Sequence, residues 1–208
     1  MVERQLRRRD IADERVLLAM DRVPRERFVP PDLRSRAYDD AALPIGGGQT
    51  ISQPYMVAAI CSALALTGSE RVLDVGTGSG YQAAVLAELV AEVDTIERLP
   101  ELADQARANL ASAGYRDVRV HLGDGSRGLP ERAPFDAIAV AAAAPAVPAA
   151  LYEQLVLGGR LVVPVGTVRD QWLEVVQRGV DGPVRHRTVP CRFVPLLGSA
   201  GFAEPRRG

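Results

Sequence analysis

The chain has 208 residues, 47% of them hydrophobic and 25% charged. That is enough for one domain with a substantial core, and it excludes collagen-like, disordered and disulfide-scaffold proteins. Twenty-five basic residues against 26 acidic ones leave a formal charge of −1, so bulk attraction to nucleic acid or anionic lipid is not expected. All 25 basic residues are Arg. Without Lys there is no Schiff-base amine and no P-loop lysine, which disfavours pyridoxal-phosphate enzymes and Walker-type NTPases. The two cysteines, Cys61 and Cys191, have no CxxC spacing and read as buried free thiols of a reducing cytosol. Arg7, Arg8 and Arg9 precede an apolar run, 16–20, too short for a secretory signal. The small-apolar stretch 137–151 is broken by Pro145 and Pro148 and cannot span a membrane. A cytoplasmic protein is expected.

In chain order, Asp13 can cap a short helix carrying Val16, Leu17 and Met20, which Pro24 ends. Residues 29–48, rich in Pro, Asp and Gly, read as a long functional loop, with 46–48 as a candidate lid. A helix begins near Ser52, with Pro54 early in it and the apolar run 56–66 behind. From residue 71 strands and helices alternate. Strands are predicted at 71–75, 93–96, 118–122, 135–140 and 160–165, and helices at 79–90, 99–113 and 148–155. Gly114 stands where a helix C-terminus favours glycine. This alternation predicts an α/β fold, a doubly wound, mostly parallel sheet with helices on both faces. Segments 172–177 and 189–194 lack a helix between them and predict antiparallel strands finishing the sheet. One domain over 1–208 is expected, with 1–52 as a helical and loop extension and 53–208 as a Rossmann-like core.

The turn after the first core strand runs Asp74-Val75-Gly76-Thr77-Gly78-Ser79-Gly80-Tyr81. Glycines allow a tight strand-to-helix turn and let a ligand approach the backbone closely. A dinucleotide fingerprint, GxGxxG, needs glycine at position 81, where this chain has Tyr81. Glu97, about 20 residues beyond the turn, stands where a carboxylate binds both hydroxyls of a ribose. That alone does not separate an adenosine ligand from NAD. Asp124, between Gly123 and Gly125 after the third core strand, can accept from an exocyclic amine such as that of adenine, or can simply form a turn. Only His121 and His186 are available, the GxSxG elbow is absent around Ser79, and no His, Cys and carboxylate group has metal-ligand spacing. A Ser-His-Asp hydrolase and a metal site are not expected.

Further stretches carry a resemblance. They are Val23-Pro24-Arg25-Glu26-Arg27-Phe28-Val29-Pro30, Leu43-Pro44-Ile45-Gly46, Gly48-Gln49-Thr50-Ile51-Ser52-Gln53-Pro54-Tyr55-Met56 and Gly76 to Gln82. They continue through Gly123-Asp124-Gly125, Ala133-Pro134-Phe135-Asp136, Gly158-Gly159-Arg160-Leu161-Val162 and Phe193-Val194-Pro195-Leu196-Leu197-Gly198. Over nearly its whole length the chain resembles the protein-L-isoaspartate O-methyltransferases, which use S-adenosylmethionine. The glycine turn is common to many methyltransferases, whereas GQTISQPYM is close to diagnostic of this family. Gly47 departs from it, standing where a polar or aromatic residue, often His, is expected.

The resemblance implies a Rossmann-like methyltransferase fold and a repair activity. A methyl group passes from S-adenosylmethionine to the free carboxyl of L-isoaspartyl residues, and less readily to D-aspartyl, in damaged proteins and peptides. The product cofactor is S-adenosylhomocysteine. It implies cofactor contacts from Thr50, Ile51, Ser52, Asp74, Gly76, Thr77, Gly78, Ser79, Gly80, Glu97, Arg98, Asp124, Gly125 and Gln171, with Gln171 closing the site from the C-terminal side. Within this set Glu97 takes the ribose and Asp124 the adenine. Ser52 is the candidate catalytic residue, its hydroxyl holding the substrate carboxylate; it is equally placed to cap the helix behind it. A monomer with no nucleic-acid or membrane partner is expected. A paralogue acting on another carboxylate or small molecule, an NAD-dependent oxidoreductase, and a non-catalytic nucleotide-binding module are the alternatives.

Overall fold

In the computed structural model, which describes residues 1–203, short apolar strands between 71 and 166 are each followed by a connection that returns to the same sheet edge. The last five residues of the expected 1–208 domain lie outside the described residues. In chain order the elements are α1 (Glu14–Arg22), β1 (Leu43–Gly46), β2 (Gln49–Ile51), α2 (Pro54–Leu64), β3 (Arg71–Val75), α3 (Tyr81–Ala87) and β4 (Glu92–Glu97). There follow α4 (Pro100–Ala113), β5 (Arg119–Leu122), β6 (Phe135–Val140), α5 (Ala149–Glu153), β7 (Leu155–Gly166), β8 (Gln171–Gly179) and β9 (Gly182–Cys191).

Seven strands form one sheet in the order β5-β4-β3-β6-β7-β8-β9. The first five are parallel; β8 runs antiparallel to β7, and β9 to β8. Chain order runs outward in both directions from the β3–β6 pair, so the connections diverge there and leave a crevice at the carboxyl ends of these strands. Because successive strand residues face opposite sides, Val72 joins one core cluster and Leu73 and Val75 the other. One face packs α2, α3 and the N-terminal segment, including Leu6, Leu17 and Phe28. The other holds Leu151 and Leu155 against Ile138, Leu161 and Val163. A strand covered on both sides reads as continuously apolar, which is why Arg71–Val75 and Phe135–Val140 match expectation residue for residue.

Elsewhere the structure moves the boundaries. Residues 29–48 are not one irregular loop: Pro31–Arg36 form a 3₁₀ turn, and β1 pairs antiparallel with β2 around Gly47 and Gly48. The helix expected over 79–90 is shorter, Tyr81–Ala87, because Gly80 takes a left-handed conformation at its start. The helix expected over 148–155 spans only Ala149–Glu153, and Leu155 already belongs to β7, which runs through Gly158 and Gly159 rather than starting at 160. The last strand lies upstream of the expected 189–194. It is Gly182–Cys191, an exposed edge strand whose Arg185, His186 and Arg187 break the apolar alternation that marks buried strands. No described helix is long and apolar enough to cross a membrane.

Asp13 does cap α1, its carboxylate accepting from the Arg15 and Val16 N–H groups at 2.9 and 3.3 Å. Asp13→Ala leaves both donors without that partner and should cost about 1 kcal/mol of stability. By urea denaturation the midpoint falls with the m-value unchanged.

Candidate active site

The crevice is built on the turn leaving β3. Gly76, Gly78 and Gly80 have φ of +93°, +53° and +90°, values that side chains adopt only with strain. Gly78 also lies under the β1–β2 hairpin, where an added Cβ would meet Ile45 Cδ1 at 3.3 Å. A Cβ on Gly80 would instead meet Leu110 Cγ at 3.1 Å, so this glycine serves the approach of α4 to the turn.

Glu97, the last residue of β4, is buried and held by backbone donors alone. Its Oε2 accepts from Gly78 N–H at 2.9 Å, and its Oε1 accepts from Arg98 and Leu99 N–H at 2.8 and 3.0 Å. One carboxylate thus joins the turns after β3 and β4 and still presents lone pairs to the crevice. Beneath it Asp74 is wholly buried. It accepts from Gln82 Nε2 at 2.7 Å and from Thr95 Oγ1 at 2.8 Å; Thr77 Oγ1 lies 2.7 Å from Thr95 Oγ1. Burial, with a smaller contribution from nearby Glu97, pushes the Asp74 carboxyl up to about 6 against these donors.

Of the residues named from sequence, the cavity wall brings together Thr50, Ile51, Ser52, Gly76, Thr77, Gly78, Ser79, Glu97, Arg98 and Gly125. Asp74, Gly80, Asp124 and Gln171 are not on it. Asp124 turns away because both its oxygens are taken: Oδ1 accepts from the Ser126 N–H and hydroxyl, and Oδ2 from the Ser199 N–H and hydroxyl. Against partial burial, these donors hold its carboxyl below the ordinary range. Gln171 clamps the chain behind the wall: its Oε1 accepts from Phe193 N–H at 2.7 Å, and its Nε2 donates to Phe193 O at 3.4 Å.

The wall also contains Gln82, Leu99, Ala141, Val194 and Leu196, which motif reading missed. Gln82 had a signal. It is the one polar side chain in the apolar segment Tyr81–Ala87. With its amide nitrogen committed to Asp74, its Oε1 is buried and has no partner among the described residues.

Ser52 does not cap α2. The cap position is Gln53, with no side-chain cap bond, and the Ser52 hydroxyl has no hydrogen bond among the described residues. Its backbone is fixed from below by Arg25, a fully buried guanidinium. Arg25 Nη2 donates to Ser52 O at 2.8 Å, Nε donates to Ala37 O at 2.7 Å, and the group lies 4.7 Å from the Tyr81 ring centroid. Thr50, Ser52, Ala141 and Val194 also line a second cavity of about 290 Å³, which Tyr55, Cys191 and Arg192 help to wall. Cys191 is therefore only half-buried, unlike Cys61, and both thiols are free.

Fold and site together define the class, a Rossmann-like methyltransferase, with the crevice at the β3–β6 divergence as the candidate cofactor site. A family model described as Protein-L-isoaspartate(D-aspartate) O-methyltransferase (PCMT) matches residues 1–201, and the chain belongs to that family. A protein-L-isoaspartate O-methyltransferase 2 of Marinobacter nauticus is 59% identical over 204 residues, covering 97% of this chain and 93% of its own length. A solved protein-L-isoaspartate O-methyltransferase superposes with a TM-score of 0.85 at 30% identity, over 97% of this chain and 67% of that one. A Plasmodium falciparum chain described as a protein-L-isoaspartate O-methyltransferase was solved in complex with S-adenosyl-L-homocysteine. It superposes with a TM-score of 0.83 at 26% identity, covering 94% and 96%.

Asp74 generates a pH prediction. Its folded pKa, about 6, lies above its ordinary 3.8, so the native state holds the proton more tightly than the unfolded chain. The resulting stabilisation is complete below 3.8 and is lost as pH rises through about 6. The loss is on the order of 3 kcal/mol at one pKa unit per 1.36 kcal/mol. Urea titrations between pH 4 and 7 should show Asp74→Asn losing that descending slope.

Proposed function

We propose that the protein transfers a methyl group from S-adenosylmethionine to the free carboxyl of L-isoaspartyl residues in damaged proteins and peptides, and less readily to D-aspartyl side chains. The observation that carries this reading is the junction at Thr50, Ser52, Ala141 and Val194, where a cofactor crevice meets a second cavity within one chain. Whole-length membership of the isoaspartate methyltransferase family supports the choice of substrate.

The residues present fit the cofactor. Gln82 Oε1, a buried acceptor without a donor, suits an ammonium group, and the Asp74 carboxylate behind it adds negative potential. The Glu97 carboxylate suits two ribose hydroxyls, and the turn Gly76 to Ser79 forms the floor. Ile96 and Leu99 beside Gly125 offer an apolar slot for adenine, in place of the contact expected from Asp124. When bound, S-adenosylmethionine supplies a methyl carbon made electrophilic by its sulfonium.

The chain's own task is positioning. An isoaspartyl α-carboxyl titrates near ~3.5 and is ionised at neutral pH, so no base is required. Neither histidine is placed there: His121 binds Asp94 at 2.7 Å, and His186 is on edge strand β9. The free Ser52 hydroxyl donates to the substrate carboxylate and orients it, while Ala141 and Val194 exclude water from the nucleophile. Both cavities lie within one chain, so a monomer suffices, and free Cys61 and Cys191 suit a reducing cytoplasm.

An isoaspartyl peptide should accept methyl groups and its aspartyl twin should not, measured with radiolabelled cofactor; equal labelling rejects the reading. Ser52→Ala removes a hydrogen bond to a charged group worth ~1.5–3 kcal/mol, so kcat/KM should fall roughly 10- to 150-fold. Its thermal midpoint should hold, because the hydroxyl caps nothing. Glu97→Gln should weaken cofactor binding by at least about tenfold in calorimetry, with kcat at saturating cofactor less affected. It should also lower stability, since the new amide NH₂ would face one of the N–H donors.

A further inference from the structure

The second cavity contains a cation that methyl transfer leaves unused. Its wall includes Arg9 and Arg192 and no acidic residue. Arg9 is already engaged: its guanidinium carbon lies 3.4 Å from the Tyr55 ring centroid, and its Nη1 pairs with Asp40 at 3.3 Å. Arg192 is exposed and forms no hydrogen bond or ion pair with any described residue. Its backbone is nonetheless held in place. Phe193 is clamped on both sides by Gln171, and Val194 O accepts from Ala143 N–H at 2.8 Å. An exposed side chain without a partner among the described residues thus stands on a fixed stretch of backbone in the wall of a cavity that Ser52 also lines.

The reacting carboxylate is the wrong partner for it. A guanidinium on the attacking oxygens would draw off the electron density that makes them nucleophilic, whereas a neutral hydroxyl such as Ser52 orients them at smaller cost. An unreactive carboxylate nearby has no such conflict. We propose that Arg192, on the cavity wall it shares with Arg9, forms a subsite for a second carboxylate on the substrate, an Asp or Glu side chain within a few residues of the isoaspartyl linkage. Flanking sequence is then read by charge. The inference rests on the reading of the second cavity as the peptide site.

The test uses the full-length enzyme and isoaspartyl peptides differing only in the neighbouring positions, which carry Glu, Gln or Lys. For the wild type at low salt, KM for the Glu peptide should be about three- to fivefold below that for the Gln peptide, and KM for the Lys peptide higher still. The kcat values should stay within about twofold, because Arg192 acts in binding. Salt at about 0.5 M should compress the differences. Arg192→Gln should erase the Glu-over-Gln preference and Arg192→Lys should keep part of it. Equal KM values for the wild type, or a preference that survives in Arg192→Gln, overturn the subsite while leaving the methyltransferase reading intact. No transfer to any isoaspartyl peptide overturns both.

Discussion

Asp74 sits near the carboxyl end of β3 with its carboxylate out of water, answered by a threonine hydroxyl and a glutamine amide rather than by a cation. A buried charge in that state is costly, and only well-placed donors make it tolerable. Its donors come from the two elements that shape the crevice, Thr95 on β4 and Gln82 on α3. Satisfying Asp74 therefore fixes the start of α3 against β4, and the glycine turn that leads from β3 into α3 adopts left-handed conformations at Gly76, Gly78 and Gly80. The same demand leaves Gln82 Oε1 buried without a partner among the described residues and gives the ligand side a negative lining.

A second buried charge performs the matching task on the substrate side. Among the described residues Arg25 has no carboxylate partner; its guanidinium is held by the carbonyls of Ala37 and Ser52 and the face of Tyr81. Burial lowers its pKa, with Tyr81 acting in the opposite direction. Through this one side chain the N-terminal segment, the strand-to-helix junction at Ser52 and the first residue of α3 are tied together. The segment before β3 is thus part of the active site's frame, consistent with its residues sharing the core cluster of α2 and α3.

Between these two anchors the chemistry asks little of the protein. An ionised carboxylate and an activated methyl donor need alignment and dryness, not proton transfer. The site accordingly supplies a free hydroxyl, small apolar walls and a hairpin over the glycine turn, and places neither histidine in the cavity.

What was legible in the sequence was whatever depends on local pattern. The core strands 71–75 and 135–140 are continuous apolar runs between turn signals, and Asp13 and Gly114 mark helix ends by their own backbone chemistry. The glycine turn, Glu97 and the GQTISQPYM segment placed the crevice and the family. Tertiary structure decided the rest, because it depends on partners far away in the chain. Asp124 has the chemistry of an adenine acceptor, but Ser199, 75 residues on, consumes it. Gln171 clamps Phe193, 22 residues away, and does not reach the cavity wall. The edge strand β9 lacks the alternation that burial imposes, and β1–β2 is too short and glycine-rich to show a period. Whether Ser52 caps a helix or faces a substrate was undecided by its neighbours, since serine suits both. Arg25 holding its carbonyl and Gln53 taking the cap position left the hydroxyl free, and only the folded chain brings those groups together.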